Sequence, residues 1–161
     1  MDPLREESPP TDRELLRGLY PKLRAFAAVV GPHDVGPDDL LHDTLVRVLS
    51  KRSLTGLDYP LAYLRRAILN EAANQRRRLG RGRVAYLKAV PTGQRTDDVY
   101  PHDLDYLKAL QPRERAVLYL HEVEGFDYEE VADATGVSEA NARQIARRAR
   151  ATLRRRLEVE A

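Results

Sequence analysis

At 161 residues the chain is long enough for one ordinary domain or two small ones, and it contains no cysteine, which excludes a disulfide framework and thiolate metal sites. Nothing near the N-terminus reads as a signal peptide and no apolar run is long enough to cross a bilayer, so a soluble cytoplasmic protein with no membrane partner is expected. The formal net charge of +2 hides a segregation: residues 1–50 carry 6 basic and 9 acidic side chains, residues 51–90 carry 10 and 2, residues 91–142 carry 4 and 12, and residues 143–161 carry 7 and 2. Two cationic blocks separated by acidic sequence point to two nucleic-acid contacts, each beside an acidic surface.

Residues 1–11 are polar and Pro-rich and are expected to form a disordered tail. A first helix begins near Asp12 and turns Leu15, Leu16, Leu19, Leu23, Phe26 and Val30 inward, with Pro21 predicted to kink it or to open a new first turn. Gly31-Pro32 ends it. A second helix follows Gly36-Pro37 and reaches about Ser50. Its core face is Leu40, Leu41, Thr44, Leu45, Val48 and Leu49, with Asp38, Asp39, His42, Asp43, Val46 and Arg47 outward. Residues 51–59 are a loop. The third helix runs from Pro60, a residue suited to a first turn, to about Leu79, burying Leu61, Leu64, Ile68, Ala72 and Leu79. Tyr63, Arg65, Arg66, Asn70, Asn74 and Arg76, Arg77 and Arg78 line its outer side, and Gly80 and Gly82 are expected to break it. Residues 84–103, with Pro91, Gly93 and Pro101, read as a flexible linker.

Two helical stretches, 103–110 and 112–124, should then bury Leu107, Leu110, Val117, Leu118, Leu120 and Val123. Residues 126–156 carry the strongest signal. Residues 128–135 form a short helix with Val131 and Ala132 inward. Gly136 suits the left-handed conformation that closes a helix, Val137 plugs the gap, and Ser138 is a good N-cap. Ala142, Ile145, Ala149, Leu153 and Leu157 make one apolar stripe of the following helix, while Arg143, Arg147, Arg150 and Arg154 fall on another face beside Asn141, Gln144, Arg148 and Arg155. This is a helix-turn-helix whose second helix suits the DNA major groove. The plainer reading of the same arginines is a solvated amphipathic helix. The expected fold is therefore all-α, two small helical domains joined by a flexible linker: tail 1–11, first domain 12–83, linker 84–103 and helix-turn-helix domain 104–161.

With these segments in view, the chain resembles a group IV sigma factor, the extracytoplasmic-function type of the sigma-70 family. GPDDLLHDTLVRVL is similar to the family segment EDLVQETFLRVW, and YPLAYLRRAILNEAANQRRR to AWLYRIARNLALDHLRR. LQPRERAVLYLHEVEGFDYEEVADATGVSEANARQIARRARATLRRRL resembles the C-terminal sigma domain throughout. The likeness covers residues 14–157. It departs from the family pattern where Leu45 replaces the common Phe, where Tyr63 stands for the usual Trp, and in the wording of the recognition helix, which leaves the promoter sequence and the docking energy open.

The resemblance implies that Asp38, Asp39, Leu40, Asp43, Thr44 and Arg47 dock on the beta-prime clamp helices of core RNA polymerase, and that the C-terminal domain meets the beta flap. It implies that the third helix melts and holds the promoter −10 element. Asn70 and Asn74 would bond base edges there, Arg65, Arg66, Arg76, Arg77 and Arg78 would grip phosphates, and Tyr63 would stack on a base or pack inside. The loop at 51–59 matches the one that captures a flipped base. Ser138, Glu139, Asn141, Arg143, Gln144, Arg147 and Arg148 would meet the −35 duplex, where Arg suits guanine or phosphate, Asn and Gln suit adenine, and Glu accepts from cytosine. An anti-sigma factor is a partner by analogy, and the free chain is expected to be a monomer. No catalytic constellation, metal site or cofactor is expected: His33, His42, His102 and His121 are scattered and no phosphate-cradling glycine loop occurs. Two competing readings keep the motif: a stand-alone helix-turn-helix regulator with a dimerisation or effector half, which leaves the first cationic block unexplained, and an adaptor that binds polymerase without opening DNA.

Overall fold

The computed structural model describes residues 8–86 and 102–160; the expected disorder of residues 1–7 and the bulk of the expected linker, 87–101, lie outside them. Every regular element among the described residues is helical.

Helix α1, Asp12–Val30, starts where the sequence says it should. Thr11 caps it: its Oγ1 accepts the Glu14 N–H at 3.3 Å while the Glu14 carboxylate accepts the Thr11 N–H at 2.8 Å. The helix continues through Pro21 as one element and does not restart there. Arg17, whose carbonyl has no N–H to accept from at Pro21, is an exposed residue. Helix α2, Pro37–Leu49, has Pro37 in its first turn and Asp38 and Asp39 at the positive end of the helix dipole. Leu40, Leu41, Thr44, Leu45 and Val48 are buried, and the Thr44 hydroxyl donates to the Leu40 carbonyl at 2.8 Å. Leu49, expected in the core, is 41% exposed at the end of the helix.

Helix α3, Pro60–Tyr86, is longer than the sequence suggested. Gly80 and Gly82 do not break it: a helical glycine costs only about 1 kcal/mol against alanine, and the arginines and leucine around them favour helix. Leu64, Ile68, Leu69 and Ala72 are buried, whereas Leu79, expected inward, is exposed because α3 has by then outrun α1 and α2.

The second half begins with a 3₁₀ stretch, His102–Ala109, followed by α4, Pro112–Leu118, which passes into a π-helical turn, Tyr119–Val123. That turn explains Val123, expected inward but 70% exposed. A π turn holds an extra residue per hydrogen-bonded loop, so a face extrapolated at 3.6 residues per turn drifts out of register. Helix α5, Tyr128–Thr135, and helix α6, Glu139–Glu160, complete the chain.

The halves pack against each other. Helix α1 lies on α2, α3 and α4, and α3 also meets α4 and α5. One core cluster runs from Leu23, Phe26 and Val30 through Leu64 and Ile68 to Leu120, Val131, Ala142 and Ile145. The Phe26 and Tyr119 rings meet at 6.2 Å across the seam.

Candidate nucleic-acid interface

The turn between α5 and α6 has the geometry the sequence demanded. Asp127 caps α5, its Oδ1 accepting the Glu130 N–H at 2.9 Å while the Glu130 carboxylate accepts the Asp127 N–H at 2.9 Å. Gly136 adopts φ 73°, and its N–H closes the helix on the Ala132 carbonyl at 2.9 Å. Val137 tucks against the core, and the Ser138 hydroxyl accepts the Asn141 N–H at 3.1 Å as the cap of α6. Removing the α5 cap by Asp127→Ala is expected to lower stability by about 1 kcal/mol in urea titration, with a change below a few tenths of that contradicting the role of the cap.

Ala142, Ile145, Ala146 and Ala149 bury one side of α6, which leaves Ser138, Glu139, Asn141, Arg143, Gln144, Arg147 and Arg148 exposed together over its first turns. Arg143 is already organised: it pairs with Glu139 one turn back and its guanidinium sits 4.8 Å over the Tyr128 ring. Tyr128 stacks on His121 on its own side of the motif, ring centroids 4.2 Å apart. Arg150, grouped by periodicity with the outward arginines, is instead half-buried. It pairs with Glu122 and donates to the Tyr128 hydroxyl at 3.3 Å, tying α6 to the π turn. The hydrogen bond from Arg150 to Glu122 holds the Glu122 carboxyl below the usual carboxylate range. Leu157, expected on the apolar stripe, is 53% exposed, because α6 overhangs its neighbours.

On α2 the exposed side is made by Asp39, His42, Asp43, Val46 and Arg47, with Val46 72% exposed. Leu40 and Thr44, included by resemblance among the docking residues, lie in the core and shape this surface from beneath. Asp38 is half-buried, accepting from the Tyr20 hydroxyl at 2.7 Å and from Arg24 at 3.1 Å; the Tyr20 hydrogen bond above all holds its carboxyl below the ordinary range. Arg47 is anchored by the buried Glu71 carboxylate of α3 at 2.7 Å, a pairing between helices that helical periodicity cannot reveal.

Along α3, Arg66, Asn70, Arg76, Arg77 and Arg78 are exposed, while Tyr63 and Asn74 are half-buried. Arg77 donates to the Asn74 side-chain oxygen, and Tyr63 carries the Arg52 guanidinium 5.1 Å from its ring centre while packing against the core. Arg65 corrects the reading of this helix: expected outward, it is buried, with 2% of its side chain exposed. Its Nη2 donates to both carboxylate oxygens of Glu124, at 2.5 and 2.6 Å. Periodicity places charges outward by default and cannot see a partner 59 positions away. The loop 51–59 is fastened to the start of α1, Asp12 accepting from the Ser53 hydroxyl at 2.7 Å and the Thr55 N–H at 2.9 Å, and Leu54 is fully buried beneath it. Those two donors hold the Asp12 carboxyl below its usual value. Tyr59, at the end of the loop, is 80% exposed and was not singled out by the sequence.

Two cationic faces are thus built, one on α6 open to a groove-sized ligand and one on α3 partly covered by the second half. Among the described residues no group of His, Asp and Glu is arranged to hold a metal ion, and no helix is long and apolar enough to cross a membrane. Residues 104–153 match the family described as Sigma-70, region 4. The RNA polymerase sigma-E factor of Streptomyces avermitilis is 32% identical over 156 residues, covering 90% of this chain and 84% of that protein. The sigma factor RpoE of Bartonella quintana, solved with the anti-sigma factor NepR, superposes with a TM-score of 0.65 at 25% identity, over 92% of this chain and 98% of that one. The fold is shared too with CnrH, solved with the cytosolic domain of CnrY, at a TM-score of 0.55 and 24% identity over 93% of this chain and 89% of that one. The chain therefore belongs to the extracytoplasmic-function group of the sigma-70 family, and it is an RNA polymerase sigma factor.

Proposed function

We propose that the work of this sigma factor is divided between two units, 12–83 and 104–161, with 84–103 setting the reach between two promoter elements. The first unit docks on the beta-prime clamp helices of core polymerase through the acidic side of α2. Asp39 and Asp43 meet the basic partner there, Val46 supplies apolar contact, Asp38 and Arg47 are held in place by Tyr20 and Glu71, and Leu40 and Thr44 support them from the core. Helix α3 opens and holds the −10 element, with Asn70 and Asn74 on base edges, Arg65, Arg66, Arg76, Arg77 and Arg78 on phosphates, and Tyr63 beside the loop that receives a flipped base. The second unit lies on the beta flap and reads the −35 duplex through Ser138, Glu139, Asn141, Arg143, Gln144, Arg147 and Arg148. The observation that carries this reading is the solvent-facing cluster on the first turns of α6, held by a capped turn and buried on its other side.

The protein works in the cytoplasm, where its polymerase is, is monomeric when free and needs no cofactor. RpoE of Bartonella quintana was solved bound to the anti-sigma factor NepR, and CnrH bound to the cytosolic domain of CnrY. By analogy an anti-sigma factor covers the α2 surface of this chain.

Run-off transcription with purified core polymerase tests the assignment. Discrete transcripts from genomic promoter fragments, including that of its own gene, are expected only when the protein is added. Asn70→Ala should then reduce strand opening roughly tenfold, the value of one lost base contact, while leaving polymerase binding intact. If no transcript appears and the protein alone footprints a palindrome, the stand-alone regulator replaces this reading; transcription that tolerates loss of both Asn70 and Asn74 favours the adaptor.

A further inference from the structure

Asp43 and Arg47 stand one turn apart on the outer side of α2, in the order and spacing at which opposite charges on a helix ordinarily pair. In the structure they do not pair with each other, because helix α3 takes each of them separately. The Glu71 carboxylate, with 3% of its side chain exposed, holds the Arg47 guanidinium at 2.7 Å, although half of the Arg47 side chain is open to solvent. Gln75, one turn further along α3, donates its amide to Asp43 Oδ2 at 3.3 Å and to Glu71 Oε1 at 3.4 Å. Glu71 is buried and Gln75 half-buried, so both lie behind the docking side and not on it.

The two grips differ in charge. Glu71 cancels the Arg47 cation from behind, whereas Gln75, being neutral, fixes the Asp43 carboxylate and leaves its negative charge whole. Burial decides which anion keeps Arg47. Glu71 Oε2 accepts no hydrogen bond, so the Arg47 charge is what compensates it, and the other nearby cation, Arg78, lies 3.9 Å from Oε1. Stranding a buried carboxylate costs several times what an exposed ion pair returns, so Arg47 stays on Glu71 as long as Glu71 is charged. Without that charge, the exposed guanidinium has Asp43, one turn back on its own helix, to turn to.

We propose that Glu71, assisted by Gln75, is a positioning residue for polymerase docking. It keeps Arg47 off Asp43, so that the Asp43 carboxylate meets its basic partner uncompensated. The inference rests on the proposed docking role of α2 and adds that this role is prepared from beneath by α3. A carboxylate already neutralised by its neighbour attracts a basic surface weakly, and the neighbour must be displaced before a new pair forms.

Titrating core polymerase into the full-length chain, dye-labelled at its N-terminus and without DNA, reads docking alone and keeps Arg78 and the other phosphate contacts out of the measurement. Glu71→Gln should lower the affinity about tenfold, within the range of one close charge pair across an interface. It should also flatten the dependence of that affinity on salt, because one anion–cation contact is lost. Made in an Arg47→Gln chain, the same change should cost less than about twofold, since no cation is then released onto Asp43. A Glu71 that only stabilised the fold would lower the urea midpoint without moving either binding readout in the folded protein. Glu71→Leu, whose apolar side chain suits the buried position, replaces Glu71→Gln if the latter does not fold by circular dichroism. Equal losses in the two backgrounds, or no loss in the wild-type background, overturn the positioning role. If Asp39→Asn and Asp43→Asn together leave core binding unchanged, the docking reading of α2 fails and the positioning role with it. If they weaken binding while loss of the Glu71 charge does not, the positioning role alone falls.

Discussion

A Phe26→Ala chain is expected to unfold about 3–5 kcal/mol more easily than wild type, the largest single-residue loss foreseen for this protein. Phe26 has no exposed surface and lies where α1, α3 and α4 converge. Its ring meets Tyr119 at 6.2 Å and Arg65 at 5.7 Å, so truncation opens a cavity, removes an aromatic contact and uncovers a buried cation together. With a urea slope of about 2 kcal/mol/M, the midpoint should fall by about 2 M. Phe26→Leu, which refills much of the volume, should recover more than half of the loss. A midpoint within about 0.5 M of wild type for Phe26→Ala would mean that the halves do not share a core around this ring.

The second large effect concerns promoter recognition. Gln144→Ala should weaken binding of the holoenzyme to its promoter by about 5- to 150-fold, the 1–3 kcal/mol of one bidentate base contact, and should erase preference at a single base pair of the −35 element. Arg148→Ala should act differently. As a phosphate contact it should weaken every promoter variant alike and reduce the slope of log affinity against log salt by about 0.9. Titrations at several salt concentrations, against promoters altered one −35 position at a time, separate the two. A uniform loss for Gln144→Ala would move it to the backbone-contacting group, and a loss confined to one base pair for Arg148→Ala would do the reverse. Both residues lie on the exposed side of α6, so neither change should disturb the core.

Much of this architecture was legible in the chain because its signals are local. The start of α1 near Asp12 and the close of α5 at Gly136 were both read from neighbouring residues. The helix-turn-helix was readable for the same reason: cap, turn and stripe all lie within about thirty residues. What escaped depends on distant partners or altered geometry. Leu49, Leu79 and Leu157 fit their helical faces but lie toward helix ends, where they are only partly covered. Val123 is turned outward by the π turn, which the 3.6-residue period cannot anticipate. Arg65 and Arg150 resemble the other arginines in sequence, and only tertiary packing separates them, giving one to Glu124 and the other to Glu122. Of the residues suggested for polymerase docking, Leu40 and Thr44 belong to the core face by period as well as in space, and only the resemblance drew them into the surface set.

On the proposed −35 reading, the ordering of Arg143 bears on how faithfully α6 chooses its target. Its guanidinium is held by Glu139 and spread over Tyr128, and that ring is in turn fixed by His121 and Arg150. A side chain confined before any encounter loses little rotamer freedom when it binds, so affinity for a matching site is gained cheaply in entropy. The same confinement denies it the freedom to swing toward an ill-placed acceptor. A mismatched promoter then leaves a polar group unsatisfied instead of meeting an accommodating arm, and selectivity is obtained as much from stiffness as from the contacts themselves.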